Sequence, residues 1–258
     1  MPEGDTIHHA AARIRAVLEG RVPDAILMPQ ARHELDRWPE RLGGRVVRAV
    51  DAYGKHLFLR FDGDLTLHSH LGVSGAWAVH RRGERWLRPR RRAWLVLRVP
   101  GHEVVEFDGP VLELMPEHRS RTHPRLAALG QDVLGPAFDP RRFLRALRAD
   151  DQTRPIGDAL LNQRTVAGIG NLWKSEACFA AGIDPWRAAG DLRDADALAL
   201  VDFARGHMAQ SARDGFIARP RAVYGRAGRP CPRCGTAIRR RRQWEDGRLT
   251  FWCPGCQR

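Results

Sequence analysis

The sequence predicts an α+β protein: a β-sandwich with flanking helices first, a helical segment next, and a metal-clamped β-hairpin at the end. Three observations predict it. Apolar residues recur at helical spacing through the first nineteen positions and at a spacing of two from Arg45 onward. Helical spacing returns beyond Leu134, and four of the five cysteines form two CxxC pairs near the C-terminus. The expected boundaries are 1–133, 134–222 and 223–258.

From Asp5 to Glu19, Ile7, Ala10, Ala11, Ile14, Val17 and Leu18 share one helix face, and Gly20 supplies the stop. Pro2 and Glu3 lie just ahead of that helix. Val46 and Val50, then Leu57–Phe61, then Leu65, Leu67, Ser69 and Leu71 read as strands, with Asp62-Gly63-Asp64 as a turn. Residues 94–99 and 103–107 form a hairpin around Pro100-Gly101. Past Leu134, Asp139 caps a helix that has Pro140 in its first turn. Further helices are expected over 156–162, 172–181 and 194–213. No internal repeat or low-complexity tract interrupts them.

Charge points to a polyanionic partner. Lys+Arg number 43 against 30 Asp+Glu, a formal net charge of +13. Eleven Arg and two acids fall between 219 and 258, and seven Arg and one acid between 81 and 92. Nucleic acid is the partner such patches suit, against the plainer reading of a solvated basic face. Only Lys55 and Lys174 are lysines, so an amine at either place stands out against the Arg bias. Lys55, in Gly54-Lys55-His56-Leu57-Phe58, is the one marked for function; Lys174, in a helical stretch, is expected at the surface. The first twenty residues hold acids and Arg and no apolar run of signal-peptide length, and no stretch is long enough to cross a bilayer. The expectation is therefore a soluble, cytoplasmic protein.

The most specific motif is Cys231-Pro-Arg-Cys234 with Cys253-Pro-Gly-Cys256. Two such pairs at that separation suit one structural, tetrahedral Zn2+, against redox chemistry as the alternative. Between them, Glu245-Asp246-Gly247 reads as the turn of a hairpin, with Arg248 beside its tip and Arg239 to Arg242 on the ascending strand. Such a finger suits phosphate or a groove, although structural zinc without nucleic acid stays open. A second motif, Gly168-Ile169-Gly170-Asn171, allows close backbone approach and leads into a helix whose first N–H groups can hold an anion. His68 and His70 share one strand face, as sheet-face or DNA-facing residues rather than a metal pair, and Cys178 reads as a core thiol.

In order along the chain, Pro2-Glu3-Gly4-Asp5, Gly54-Lys55-His56-Leu57-Phe58, Gly168-Ile169-Gly170-Asn171 and the terminal finger resemble the formamidopyrimidine-DNA glycosylase and endonuclease VIII family. The resemblance covers nearly the whole chain. It implies a helix-two-turn-helix motif in the helical domain and a bifunctional glycosylase and abasic-site lyase of base excision repair. After removal of the initiator Met, the secondary amine of Pro2 would attack C1′ of the damaged nucleotide and form a Schiff base. An α-amino group titrates near pH ~7.7 to 8.0, and the positive end of the expected first helix favours its neutral form. Glu3 would move protons, Lys55 would contact phosphate and assist elimination, and Asn171 and Arg248 would bind backbone phosphates. DNA would lie in a basic cleft between the domains. Damaged DNA is the implied partner, zinc the sole cofactor, and the working unit a monomer in a bacterial cytoplasm, associated with the nucleoid.

Three departures bear on the lesion. Gly4-Asp5 stands where the purine branch has Leu-Pro, and Val73 follows His70-Leu71-Gly72 where that branch has the Met that fills the gap left by base extrusion. Residues 106–110 read Glu-Phe-Asp-Gly-Pro where that branch carries Asp-Pro-Arg-Arg-Phe, and those letters at 139–143 run into a helix. Together they favour oxidised pyrimidines, with Val73 as the wedge. The alternatives are the same chemistry on oxidised purines, or a noncatalytic damaged-DNA-binding protein.

Overall fold

A computed structural model describes residues 2–30, 36–216, 219–243 and 247–258. The chain divides into two compact units, one of Pro2 with Thr6–Ala127 and one of Glu3–Asp5 with Ala128–Arg258.

In the first unit, helix α1 (Gly4–Leu18) leads into β1 (Ala25–Leu27), the short α2 (Trp38–Leu42) and strands β2 (Val47–Tyr53), β3 (His56–Phe61), β4 (Leu65–His70), β5 (Ala76–Arg81), β6 (Ala93–Val99), β7 (His102–Phe107) and β8 (Val111–Pro116). They form two antiparallel four-stranded sheets, ordered β1-β6-β7-β5 and β2-β3-β4-β8. Alternation explains the core, because successive side chains of a strand point to opposite faces. Leu95, Leu97 and Val99 of one sheet meet Val50, Leu57, Leu59, Phe61 and Leu67 of the other in a single buried cluster. Ile7, Ala11, Ile14 and Leu18 of α1 join it, as their spacing predicts. The outer face of the first sheet holds a smaller cluster of Ala93, Val96, Val105 and Phe107, against which Trp86 packs. The unit closes with α3 (Glu117–Thr122) and α4 (Pro124–Ala127).

The second unit contains β9 (Gln131–Asp132), α5 (Pro140–Ala149), α6 (Ile156–Ala159), β10 (Val166–Ala167), α7 (Asn171–Ala181), α8 (Asp194–Asp214), β11 (Arg239–Gln243) and β12 (Arg248–Trp252). Strands β9 and β10 pair in parallel, and β11 and β12 antiparallel. Asp139 caps α5, its Oδ1 accepting from Arg141 N–H at 2.9 Å, so the Asp-Pro-Arg-Arg-Phe letters are a helix start. Trp173, Phe143, Leu147 and Leu200 lie in the helical core. Cys178 is buried there as expected, and burial pushes its thiol up to about 12. Among the described residues, no helix is long and apolar enough to cross a membrane.

Candidate active site

The glycine corner does hold an anion, and it is the chain's own Glu3. Helix α7 begins at Asn171 with Gly170 as its cap, leaving the first N–H groups without partners in the helix. The Glu3 carboxylate takes them: Oε1 accepts from Leu172 at 2.8 Å, and Oε2 from Gly170 at 3.1 Å and Trp173 at 3.3 Å. Glu3 is only 2% exposed. Hydrogen bonds from backbone N–H to a carboxylate at a helix start are among the strong ones, so the side chain is fixed within the corner.

Glycine is required because of how close the chains come. Gly4 N–H donates to Gly168 O at 2.9 Å, and a Cβ on Gly4 would stand 2.9 Å from Gly168 Cα. Gln163 shapes the corner from inside, its Oε1 accepting from Gly168 N–H and its Nε2 donating to Ile169 O. Beside this, buried Asp5 accepts from Ser211 Oγ at 2.6 Å and from Arg219 Nε at 2.8 Å. Pro2 is half-buried and immediately precedes Glu3.

Helix α7 also carries the finger. Asn171 is buried, and its Nδ2 donates to Leu249 O of strand β12 at 2.8 Å. Lys174 corrects the surface expectation: it is 0% exposed, with Nζ donating to Thr250 Oγ1 and, at 3.5 Å, to Gln243 Oε1. Burial lowers its pKa to about 8, with Arg248 adding to the effect and Cys178, Asp158 and Glu3 opposing it. Glu176, also buried, accepts from the N–H groups of Ala222, Val223 and Tyr224 at 2.7–3.0 Å. Sequence reasoning missed Lys174 although the signal was present, since a Lys against the Arg bias was the argument that marked Lys55. Gln243 and Thr250 carried no such signal.

The four sulfurs fit a zinc ion. Cys231 and Cys256 Sγ are 3.8 Å apart, Cys234 and Cys253 Sγ 3.5 Å, and all four lie within 4.8 Å of one another. A tetrahedral Zn2+ with Zn–S bonds of ~2.3 Å places its sulfurs ~3.8 Å apart. The ion would be held by Cys231, Cys234, Cys253 and Cys256, where it pins the base of the β11–β12 hairpin. The Asp-Gly turn expected at 245–247 lies mostly outside the described residues. Arg248 opens β12 opposite Gln243 and borders a cavity of about 610 Å³ shared with Asp150, Arg154, Asp158 and Arg164.

In the first unit, Lys55 sits with Gly54 (φ 57°) at the two-residue turn between β2 and β3, rather than within a strand. Three imidazoles gather next to it. His56 Nδ1 is 2.9 Å from His68 Nε2 with the rings stacked, and the His70 ring lies 4.9 Å from that of His56. Burial first, then the charges of His70, His68, Lys55 and His123, push His56 down to about 3. Burial takes His68 down to about 4 against the opposing pull of Glu113. These lowered values keep the histidines neutral on the sheet face near pH 7. Val73 is 73% exposed in the turn after β4.

Residues 1–145 match the formamidopyrimidine-DNA glycosylase N-terminal domain, 129–218 its H2TH domain, and 228–258 the zinc finger found in FPG and IleRS. A Streptomyces coelicolor protein named probable endonuclease 8 2 is 40% identical, the alignment covering all of this chain and 94% of that one. The DNA-(apurinic or apyrimidinic site) lyase Nei2 of Mycolicibacterium smegmatis is 38% identical, over all of this chain and 99% of its own. The crystal structure of Lactococcus lactis Fpg in complex with N7-benzyl-Fapy-dG-containing DNA shares the fold, with a TM-score of 0.84 at 22% identity and full coverage of both chains. With these domains in this order over its whole length, the chain belongs to the formamidopyrimidine-DNA glycosylase and endonuclease VIII family.

Proposed function

We propose that the protein is a bifunctional DNA glycosylase and abasic-site lyase that excises oxidised pyrimidines and works as a monomer. The observation that carries this reading is the Glu3 carboxylate, buried and gripped by three N–H groups directly after Pro2. With the initiator Met removed, the lone pair of the Pro2 nitrogen forms a bond to C1′. The glycosidic bond breaks, and its electron pair leaves with the base, which takes a proton. The Pro2 nitrogen then gives up its proton by way of Glu3, O4′ takes one as the C1′–O4′ bond opens, and an iminium remains between C1′ and Pro2. Glu3 delivers and removes these protons. Loss of a C2′ proton expels the 3′ phosphate, a second elimination expels the 5′ phosphate, and addition of water to the iminium frees Pro2.

Lys55, at its turn, contacts phosphate and assists elimination. Arg248 grips phosphates flanking the extruded nucleotide, and Asn171 binds backbone phosphate from its corner. Val73 enters the gap left by the extruded base, since the reacting carbon is out of reach while that base is stacked. Pyrimidine preference is supported by Gly4-Asp5, by Val73 and by the absence of an Arg-Arg-Phe loop at 106–110. Borohydride trapping on duplexes carrying thymine glycol or 8-oxoguanine tests the whole reading. The expected result is a covalent adduct, stronger with thymine glycol and absent from Pro2→Gly. Glu3→Gln should fail on the intact lesion while still trapping a preformed abasic site. An undiminished adduct from Pro2→Gly would refute the nucleophile; equal trapping on both lesions would refute the preference.

A further inference from the structure

One apolar side chain stands out among the arginines of the segment joining β5 to β6. Leu87 is 94% exposed, the highest value among the exposed large hydrophobic residues of the described part, and Arg81, Arg82, Arg85, Arg88, Arg90 and Arg92 lie within six positions of it. Its neighbour Trp86 behaves in the opposite way. The indole packs on the outer-face cluster, edge-on to Phe107 at 5.7 Å, donates from Nε1 to Glu103 Oε2 at 2.9 Å, and lies under the Arg90 guanidinium at 4.8 Å. The segment is therefore anchored by one apolar side chain and presents the next one to solvent.

The bracing extends to two other loops. Arg88 Nη1 donates to Ser74 O at 2.7 Å, next to Val73, and reaches Asp108 Oδ2 at 3.3 Å, which Arg92 also pairs at 2.7 Å. A Cβ on Gly72 would stand 2.7 Å from Pro110, and one on Gly75 2.9 Å from Gly109 Cα, so the 72–75 and 108–110 loops are in contact. Leu87 and Val73 each adjoin a residue of the Arg88–Ser74 hydrogen bond that joins their loops. Single exposed hydrophobic residues are ordinary on a protein surface. Two of them on loops joined by a hydrogen bond, one within an arginine-rich segment, are a different arrangement.

We propose that Leu87 is a second DNA wedge, acting with Val73 at the gap left by the extruded nucleotide; the proposal rests on the glycosylase reading above. Apolar side chains are inserted between base steps by proteins that unstack DNA, and arginines supply the phosphate contacts that hold such a side chain in place. An exposed Leu loses water on entering a base step, whereas an Arg in its place would have to be desolvated with its charge.

The test compares Leu87→Ala, Leu87→Met and wild type in single-turnover excision of thymine glycol from a duplex and from a single strand of the same sequence. The expected loss in Leu87→Ala is about tenfold on the duplex and under about twofold on the single strand, where no stack needs to be opened. Leu87→Met retains the duplex rate, and the salt dependence of binding and the melting temperature stay at wild-type values. Equal loss on both substrates, or none on either, overturns the proposal. A 2-aminopurine placed beside an abasic-site analogue gives an independent reading, with a fluorescence rise on binding of wild type that Leu87→Ala lacks. If wild type excises no lesion, the glycosylase reading fails, and the fluorescence comparison still decides the wedge.

Discussion

Gly170→Ala puts the added methyl group into the Glu3 side chain. The new Cβ would stand 2.6 Å from both Cγ and Oε1, and closer still to Cδ, where ordinary contact begins at 3.4 Å. Gly170 has φ −123° and ψ −167°, extended backbone that alanine adopts freely, so the effect is steric and carries no conformational cost. To clear the approach to Cδ, Glu3 must recede by about 1.1 Å, which stretches the 2.8 Å bond from Leu172 N–H to about 3.9 Å, past a hydrogen bond. A displacement of about 1 Å at a reacting group costs on the order of 100-fold in rate, about 2.7 kcal/mol of barrier. Single-turnover excision of thymine glycol measures it, with the far-ultraviolet spectrum and zinc content confirming the fold. Gly206→Ala is the control. A Cβ there meets nothing within 4 Å inside α8, and removing a helical glycine stabilises by roughly 0.5–1 kcal/mol. A folded Gly170→Ala protein excising within twofold of wild type would refute the account of the corner.

Three other outcomes follow from buried charge and from the metal. Lys174 binds its proton less tightly in the fold (pKa about 8) than in the unfolded chain (10.5), so unfolding free energy should rise with pH across that window. The rise is bounded by roughly 3 kcal/mol, and denaturant melts at pH 7.5 and 10 should show it in wild type and not in Lys174→Met; parallel curves would exclude it. His56 and His68 are depressed below 6.5, so the stability they contribute is present above that pH and lost as pH falls toward 4 and 3. His56→Gln should lose about 2 kcal/mol less than wild type between pH 7 and 5, read by urea melts. Chelation should release one Zn2+ per chain and speed tryptic cleavage within Arg239–Arg242 by at least about tenfold, because the hairpin base is held by the metal; unchanged cleavage would show that the finger stands without it.

Much of this protein is legible along the chain because the signals are local. The face of α1, the alternation of β3, β4, β6 and β7, the Asp139 cap and the spacing of Cys231, Cys234, Cys253 and Cys256 each depend on neighbours a few positions apart, and the structure places them as their patterns require. The anion-holding character of Gly168–Asn171 was legible in the same way. The identity of the anion was not, since Glu3 lies 169 positions from Leu172 and meets it only through tertiary folding. Lys174 shows the same limit: its helical surroundings suited a solvated amine, and only Thr250 and Gln243, arriving from the finger, bury it. Asn171 likewise turns its Nδ2 to Leu249 O, a partner 78 positions away. Periodicity and spacing record which local conformations are favourable. Which polar groups end up buried against each other depends on segments distant in sequence, and the tertiary structure alone decides those partners.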